Sequence, residues 1–305
     1  MSIAFISHPD CALHDMGHHH PEDPARLSAI SDRMIAGGLD MVLQHYDAPL
    51  VDRGVLEAVH DPAYVAEVFR ASPEQGLVWL DGDTAMNPHT LRAALRAAGA
   101  AVMAVDLVMG GSVKKAFCSV RPPGHHAERH RAMGFCFFNN VVVGARHAID
   151  SHGLERVAIV DFDVHHGNGT EDLVAGDDRI LFCSSFQHPF YPHSGLDCQA
   201  SNVINVPLPV GTDGPGFQAA VEAEWLPRLE AFAPQLILVS AGFDAHAADD
   251  MAGLKLVEAD YAWISARLAE QADRSADGRI VSVLEGGYEL HALARSVEAH
   301  LKAFL

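Results

Sequence analysis

Cysteine is scarce in this 305-residue sequence, where five residues are scattered and none forms a Cys-x-x-Cys pair. An odd and scattered set of this kind argues against a disulfide framework. We therefore expect the cysteines to be reduced and mostly structural, as in a cytoplasmic protein.

Basic residues are also few. Twenty-one Lys and Arg stand against 40 Asp and Glu, which gives a formal net charge of −19 at pH 7. Proteins that bind nucleic acid need basic clusters to contact the phosphates, so no nucleic-acid partner is expected. The acidic excess suits cationic small molecules or basic peptide tails, although solubility alone is an equally ordinary reason for it.

Long apolar runs are missing: none approaches the roughly 18–20 residues that cross a bilayer. The N-terminal MSIAFISHPD has neither the basic region nor the apolar core of a signal peptide, so no membrane association is expected. Linkers, low-complexity segments and internal repeats are absent too. We therefore expect residues 1–305 to form a single domain, which at this length buries about 75 % of the surface exposed by the unfolded chain.

Short apolar, β-branched runs alternate with helical patterns along the chain. The runs predict strands at residues 3–7, 116–120, 157–162, 180–184, 203–206, 236–240 and 280–284. The intervening patterns predict helices at residues 25–36, 88–109, 217–232, 259–272 and 289–304. Strands that are apolar throughout and alternate with helices indicate an α/β fold, with a mostly parallel sheet covered by helices on both faces.

Histidine is what the sequence has in excess, with 20 residues. Several of these histidines follow the ends of predicted strands, together with acids and a tyrosine. Ligands of parallel sheets bind just outside the carboxyl ends of the strands. The side chains placed there are His125, His126, Asp161, Asp163, His165, Asp244 and Tyr288.

The stretch IVDFDVHHGNGT (159–170) carries an Asp-x-Asp-x-His arrangement. Alternate side chains of an extended segment share one face, so Asp161, Asp163 and His165 can converge. Two carboxylates and an imidazole with one open position fit a catalytic zinc site without any cysteine ligand. The motif alone is also compatible with a capped strand and solvated acids. Asp244 and the His125-His126 pair favour the metal site.

Five motifs in a fixed order resemble one known family. They are RPPGHHA (121–127), GFCFFNN (134–140), DFDVHHGNGT (161–170), AGFDAH (241–246) and EGGY (285–288). The sequence resembles the zinc-dependent histone deacetylase and acetylpolyamine amidohydrolase superfamily, and most of all its class II-like bacterial branch. The resemblance runs from HHHPEDPARL (18–27) to EGGY. It implies an arginase/deacetylase-like fold and a single catalytic domain over residues 1–305.

The resemblance implies two metal ions as cofactors. The expected zinc ligands are Asp163, His165 and Asp244. A structural potassium ion is expected beneath the zinc, held partly through backbone carbonyls by Asp161, Asp163, His165, Ser184 and Ser185.

Five residues match the family's catalytic positions. His125 and His126 correspond to the tandem histidines that handle protons, and Tyr288 to the tyrosine that polarises the scissile carbonyl. Asp161 corresponds to the acid that orients His125. Asn168 stands where class I-like members have an acid beside the second histidine. An amide orients His126 without raising its basicity, which favours a neutral base.

The resemblance also implies a substrate tunnel. Its walls are expected at Gly134, Phe135 and Tyr191. Asp83 stands where family members use a rim residue to hold the substrate backbone. Met251 stands at the rim position where polyamine-selective members often carry an acid, although Asp249 and Asp250 lie beside it in the sequence.

The function implied is removal of acetyl or other acyl groups from lysine side chains, which releases acetate and a free amine. The expected partner is an acylated lysine peptide or protein. Deacetylation of N-acetylpolyamines stays open as an alternative, and so does a non-catalytic module that binds acyl-lysine. An arginase-type site with two manganese ions is disfavoured, because Gly167 and His246 stand where bridging carboxylates are needed.

The remaining polar residues are expected to be structural. His20 is expected to pack near the rim of the site, and His147 and His246 to be hydrogen-bonded rather than to bind metal. Arg26 and Arg121 are expected to be buried and to organise the loops around the site.

Overall fold

The computed structural model describes residues 2–305. Eight of the ten strands in that range form one sheet in the order β2-β1-β5-β10-β9-β6-β7-β8, with every neighbouring pair parallel. The strands are β1 Ile3–Ser7, β2 Leu43–Asp47, β3 Val78–Trp79, β4 Ala85–Met86, β5 Lys115–Cys118, β6 Val157–Asp161, β7 Ile180–Gln187, β8 Val203–Leu208, β9 Leu236–Ala241 and β10 Ile280–Leu284. Strands β3 and β4 form a separate antiparallel pair.

Helices cover both faces of the large sheet. They are α1 Ala25–Ala36, α2 Arg53–Glu57, α3 Pro62–Ala71, α4 Thr90–Met109, α5 Asn140–His152, α6 Asn168–Val174, α7 Gly214–Glu224, α8 Leu226–Phe232, α9 Glu258–Ser275 and α10 Leu290–Lys302. Helices α3, α4 and α5 contribute to the apolar core on one face, and α1, α7, α9 and α10 to the core on the other. The α/β prediction with helices on both faces is confirmed.

Strand β6 illustrates why the predicted strands are apolar throughout. Val157 and Ile159 belong to one core cluster, whereas Ala158 and Val160 belong to the other. Successive side chains of a strand point to opposite faces, so a strand buried on both sides needs an apolar residue at every position. No helix among residues 2–305 is both long and apolar enough to span a bilayer.

The prediction of one continuous helix over residues 217–232 is wrong. Two helices occupy this region, α7 and α8, and they meet at Trp225. Pro227 has no N–H to donate to the carbonyl of Ala223, and its ring would clash with that carbonyl in a continuous helix. The chain therefore starts a new helix there.

The sequence analysis missed several elements and misplaced the ends of others. Helix α5 contains Val141-Val142-Val143, a β-branched run that disfavours a helical interpretation. Strand β2 lies at the sheet edge and is mostly exposed, so it lacks the apolar pattern of a buried strand. Strand β5 begins and ends earlier than the predicted 116–120. Strand β7 continues to Gln187 because β8 pairs with it that far.

Four adjacent strands at the centre of the sheet position the site. The chain passes from β5 to β6 and later returns to insert β9 and β10 between them. The carboxyl ends of β5, β10, β9 and β6 therefore lie side by side at a point where the strand order reverses. Such a point is where parallel sheets bind ligands, and these are the four strands that the polar motifs follow.

Candidate active site

The loop after β6 folds through its own aspartates. Asp161 ends the strand, and its Oδ1 accepts a hydrogen bond from the backbone N–H of Asp163 at 3.1 Å. Asp163 Oδ1 accepts in the same way from the N–H of His165 at 2.9 Å. Each aspartate thus bonds the backbone two residues further on, as Asp side chains commonly do in turns. These turns bring the three side chains together beyond the strand end.

Asp163, His165 and Asp244 form a buried cluster with the geometry of a metal site. His165 Nδ1 lies 3.1 Å from Asp163 Oδ1 and 3.2 Å from Asp244 Oδ2. The three candidate ligand atoms all lie within 4.8 Å of one another. Two carboxylates and one imidazole suit zinc and similar divalent ions. The structure therefore brings the three predicted zinc ligands together.

Two glycines leave room for the carboxylates of this cluster. A Cβ added at Gly242 would lie 2.0 Å from Asp163 Oδ2, and one added at Gly286 would lie 2.2 Å from Asp244 Oδ2. The N–H of Gly286 also donates to Asp163 Oδ2 at 2.9 Å. A side chain at either glycine would displace a candidate ligand.

Burial and mutual contact shift the acidities of the cluster. Burial, together with the charge of Asp163, raises the pKa of Asp244 to about 7. Burial also acts to raise the pKa of Asp163, but His125 and His165 outweigh it and hold that pKa well below its ordinary value. The two carboxylates therefore repel each other across a shared imidazole, and a divalent cation would relieve that repulsion.

His125 is held beside Asp161. Its Nδ1 lies 2.9 Å from Asp161 Oδ2, and both side chains are buried. The carboxylate of Glu285 accepts from the backbone N–H groups of Gly124 and His125, at 2.7 and 3.1 Å. Burial acts to lower the pKa of His125, but Asp161 and Asp163 overcome it and raise the pKa to about 10. The two carboxylates therefore favour the protonated form of His125.

His126 has a neutral partner instead. Its Nδ1 lies 2.7 Å from Asn168 Oδ1, while Asn168 Nδ2 donates to the carboxylate of Glu128 at 2.7 Å. Because that carboxylate can only accept, the amide oxygen faces His126 and receives its Nδ1–H. Burial, followed by the charges of His125 and His165, holds the pKa of His126 well below its ordinary value. His126 is thus a neutral imidazole with Nε2 free.

Arg26 supports the loop that carries Tyr288. Its buried guanidinium donates to the carbonyl of Gly287 at 2.7 Å and to that of Glu285. The guanidinium carbon lies 5.1 Å from the centre of the Tyr288 ring. Glu22 accepts from Arg26 at 2.9 Å and also from Arg121, so both arginines are buried as expected.

Asp249 is a site residue that the sequence analysis did not identify as one. Its Oδ2 accepts from the backbone N–H of Tyr288 at 2.6 Å and from that of Glu289 at 3.0 Å, and its Oδ1 accepts from the N–H of Met251 at 3.1 Å. The carboxylate is turned inward and its oxygens are occupied. The signal in the sequence was weak, because Asp250 stands directly beside it.

A cavity of about 220 Å³ opens at His165, one of the three candidate metal ligands. It is lined by Asp83, His126, Gly134, Phe135, His165, Phe190, Tyr191, Met251 and Tyr288. All five predicted substrate-binding residues are among them. Phe190 was missed, and its ring stacks on His165 with centres 5.4 Å apart. The sequence signal for Phe190 was its position next to Tyr191. Of these two aromatic residues, only Tyr191 was predicted to line the cavity.

Asp83 stabilises the cavity wall as well as lining it. Its Oδ1 accepts from the backbone N–H of Gly134 at 3.2 Å. The ring of His20 packs edge-on against Phe135, with centres 4.6 Å apart. His20 therefore lies near the rim, as expected.

The residues predicted to hold potassium share Asp163 and His165 with the candidate metal cluster. Asp161 on β6 pairs with Ser184 on β7 in the sheet register. The residues of this set are all buried: Asp161, Asp163, His165, Ser184 and Ser185. They offer carboxylate, carbonyl and hydroxyl oxygens. His246 lies outside both sets, with its Nδ1 accepting from the N–H of Ala248 at 3.0 Å, as a structural histidine would.

The comparisons with known proteins agree with this geometry. A family model described as histone deacetylase domain matches residues 20–304. The chain is 35 % identical to type-2 histone deacetylase 2 of Dictyostelium discoideum, over 98 % of this chain and 20 % of that protein. It is 35 % identical to polyamine deacetylase HDAC10 of Homo sapiens, over 97 % of this chain and 47 % of that protein.

A solved structure extends the likeness to three dimensions. The crystal structure of the HDA15 HD domain superposes with a TM-score of 0.93 at 32 % sequence identity, covering 100 % of this chain and 89 % of that one. The chain thus spans about half or less of both relatives named above, but nearly all of this solved domain.

Proposed function

This chain belongs to the histone deacetylase family, and from that premise we propose that it is a zinc-dependent amidohydrolase acting on acylated lysine side chains. It removes an acetyl or another acyl group from the terminal amine and releases the acid and the free amine. The observation that carries the proposal is that His165, part of the buried ligand cluster, lines the same cavity as His126 and Tyr288.

Zinc suits the donor set of Asp163, His165 and Asp244. The cluster is buried, has no sulfur donor and is kept clear by Gly242 and Gly286. When bound, zinc lowers the pKa of a water molecule and polarises a carbonyl, which are the two aids that hydrolysis of an unreactive amide needs.

The two histidines have different proton roles. His126 is neutral, with Nδ1 committed to Asn168, so its Nε2 takes a proton from the attacking water and later delivers one to the departing amine. His125 is cationic beside Asp161 and stabilises the negative charge that develops on the substrate. The two ring centres lie 4.0 Å apart, so the imidazolium stands directly beside His126, which lines the cavity.

Tyr288 is the donor for the developing oxyanion. Burial and the charge of Asp244 raise the pKa of its hydroxyl well above the ordinary value, so the group remains a donor at neutral pH. By analogy with oxyanion-hole donors, such a group contributes on the order of 3 kcal/mol to transition-state stabilisation.

A potassium ion beneath the zinc is part of the same proposal. Its supports are the burial of the oxygen-rich set defined above and the pairing of Asp161, at the end of β6, with Ser184 within β7. Hard monovalent cations favour oxygen ligands of this kind, and the ion would offset the negative charge of the aspartates.

Lysine-type substrates fit the rim better than polyamines. A distal ammonium group on an acetylated polyamine would be stabilised by a free carboxylate at the cavity mouth. Met251 is apolar, and the oxygens of Asp249 accept from backbone N–H groups. Asp83 also lines the cavity, but its Oδ1 accepts from the N–H of Gly134, and it stands where family members hold the substrate backbone. The polyamine alternative is supported by the likeness to HDAC10 and by the net charge of −19.

The test is a parallel assay of an acetyl-lysine peptide and N-acetylputrescine with zinc-loaded protein. We expect turnover of the peptide to exceed turnover of N-acetylputrescine, and Tyr288→Phe to lower kcat by about 100-fold or more. The matched control is Tyr46→Phe, which removes a hydroxyl from the exposed edge strand β2.

Each outcome separates the alternatives. Faster turnover of N-acetylputrescine would mean that acetylated polyamines, rather than acyl-lysines, are the substrate class. Zinc-loaded protein that binds the peptide but turns over neither substrate, nor longer acyl-lysines, would indicate an acyl-lysine-binding module. Equal losses in Tyr288→Phe and Tyr46→Phe would contradict the assigned role of Tyr288.

A further inference from the structure

A second cluster of metal-ligating side chains lies on the helical face formed by α4 and α5. Asp106 of α4 meets His147 and His152 of α5. The Nε2 atoms of His147 and His152 lie 2.7 and 2.8 Å from the same oxygen, Oδ1 of Asp106. The two imidazole rings are 5.4 Å apart and nearly perpendicular. This cluster shares no residue with the active site.

The spacing of the three groups is that of ligands around one ion. Zinc binds imidazole nitrogen and carboxylate oxygen at about 2.0–2.2 Å in tetrahedral geometry, which places neighbouring ligand atoms about 3.3–3.6 Å apart. The observed separations need only a small expansion to admit an ion. His147 and His152 are partly exposed, so zinc and a completing water can reach the cluster from solvent.

A second contact orients His147 for metal binding. Ser151 Oγ lies 3.2 Å from His147 Nδ1. Without an ion, the Nε2–H of each imidazole donates to Asp106, because a carboxylate can only accept. Zinc binding releases that proton, and the Ser151 hydroxyl can then accept the Nδ1–H of His147, which leaves the Nε2 lone pair for the ion. Metal-binding histidines are held by partners of this type on the ring nitrogen that does not bind the ion.

An ordinary surface ion pair does not require this arrangement. The chain has such a pair in Asp40 and His45, where one imidazole nitrogen lies 2.8 Å from one carboxylate oxygen. At Asp106 two imidazoles from one helix converge on a single oxygen of another helix. Convergence of two imidazoles on one carboxylate is what a three-ligand site requires and an ion pair does not.

We propose that Asp106, His147 and His152 bind a zinc ion that ties α4 to α5. Helix α4 follows the β3–β4 hairpin that carries Asp83, and α5 follows the segment that carries Phe135. Both of those residues line the active-site cavity. The ion therefore stabilises two helices whose preceding segments form parts of the cavity wall.

The first measurement is the zinc stoichiometry of metal-stripped protein titrated by calorimetry, with bound zinc counted after dialysis. The wild type is expected to bind two equivalents, and His147→Ala and His152→Ala one each. His45→Ala, which removes the matched surface pair, is expected to retain two. His165→Ala is expected to lose the active-site equivalent and keep the other, so the two sites are counted independently.

Thermal unfolding provides a readout besides stoichiometry. The second zinc equivalent is expected to raise the Tm of the wild type and of His45→Ala, but not of His152→Ala. Asp106→Asn, which keeps an accepting oxygen but removes the charge, serves if a histidine variant does not fold. A single equivalent in the wild type, saturation only at millimolar zinc, or two equivalents in His152→Ala would each overturn the proposal.

Discussion

The carboxylate of Asp249 accepts a hydrogen bond from the backbone N–H of Tyr288, with 2.6 Å between Oδ2 and the nitrogen. The same side chain accepts from the N–H groups of Glu289 and Met251. One buried aspartate therefore holds both the loop that carries Tyr288, the proposed oxyanion donor, and a residue of the cavity rim. Its sequence neighbour Asp250 is exposed.

Asp249→Asn is expected to lower kcat about 10- to 100-fold with little change in KM. An asparagine presents one accepting oxygen instead of two, so at least one buried N–H loses its partner, at a cost of about 1–3 kcal/mol. The resulting displacement of Tyr288 weakens an interaction that forms in the transition state. Steady-state kinetics on an acetyl-lysine peptide, with zinc content measured in parallel, checks this.

Asp250→Asn is the matched control and is expected to leave both constants unchanged. An Asp249→Asn protein that has lost its zinc, or whose KM rises as much as its kcat falls, would point to general disruption of the site rather than to positioning of Tyr288.

Asn168→Asp is expected to move the acidic limb of the pH profile of kcat/KM to higher pH. A carboxylate beside His126 Nδ1 stabilises the protonated imidazole and raises its pKa, typically by about 1–3 units. Because the base must be deprotonated to act, activity then begins at a higher pH. Rates measured from pH 5 to 9 on zinc-loaded protein report the shift.

Glu128 also affects the result expected for Asn168→Asp. Its carboxylate accepts from Asn168 Nδ2 at 2.7 Å, so an aspartate at 168 would face a like charge. Asn168→Asp combined with Glu128→Gln removes the repulsion and is expected to show the larger shift. An acidic limb that moves in neither variant would mean that His126 is not the base.

The residues of the candidate metal cluster could be predicted because each depends on a local rule. Asp163 and His165 are two residues apart after an apolar strand, and in an extended segment this spacing would place the side chains on one face. In the structure, turns made by Asp161 and Asp163 bring them together instead. Asp244 follows another predicted strand. In contrast, the insertion of β9 and β10 between β5 and β6 is set by pairing between strands distant in sequence, which no local pattern specifies.

The residues that were missed have neighbours of the same type. Asp249 and Asp250 are equivalent in sequence, and only the fold determines which carboxylate turns toward the Tyr288 loop. Phe190 and Tyr191 are likewise adjacent aromatics, and both line the cavity. Helix α5 was missed because tertiary packing overrides the β preference of its valines.

Met251→Glu is expected to shift selectivity toward N-acetylputrescine. A carboxylate at the cavity rim attracts the distal ammonium of that substrate, and a partly screened charge pair contributes about 0.2–1 kcal/mol. The ratio of kcat/KM for N-acetylputrescine to that for a neutral acetyl-lysine peptide should therefore rise several-fold at low salt. Met41→Glu, the same change at an exposed position outside the cavity, should leave the ratio unchanged. A ratio that stays constant in Met251→Glu would mean that this position does not contact the distal amine.

His300 makes the stability of the fold depend on pH. The imidazole is fully buried, with Nδ1 2.6 Å from Ser265 Oγ and Nε2 2.9 Å from Ser282 Oγ. Burial lowers its pKa to about 3 from the ordinary value of 6.5. Between these two values the unfolded chain binds a proton that the folded protein does not. The free energy of unfolding therefore decreases as the pH falls through this range, by up to about 1.4 kcal/mol per pH unit for this group.

Urea unfolding at pH 7, 6 and 5 measures the effect. His300→Gln removes the titrating group, and is expected to be less stable than the wild type at pH 7 but to lose less stability on acidification. His60, whose pKa burial lowers to about 4, continues to contribute in both proteins, so some acid sensitivity remains in the variant. His45→Gln, at the exposed edge of the sheet, should follow the wild type at every pH. Parallel pH dependences for His300→Gln and the wild type would show that His300 takes up its proton in the folded state, which is incompatible with an imidazole enclosed by the core.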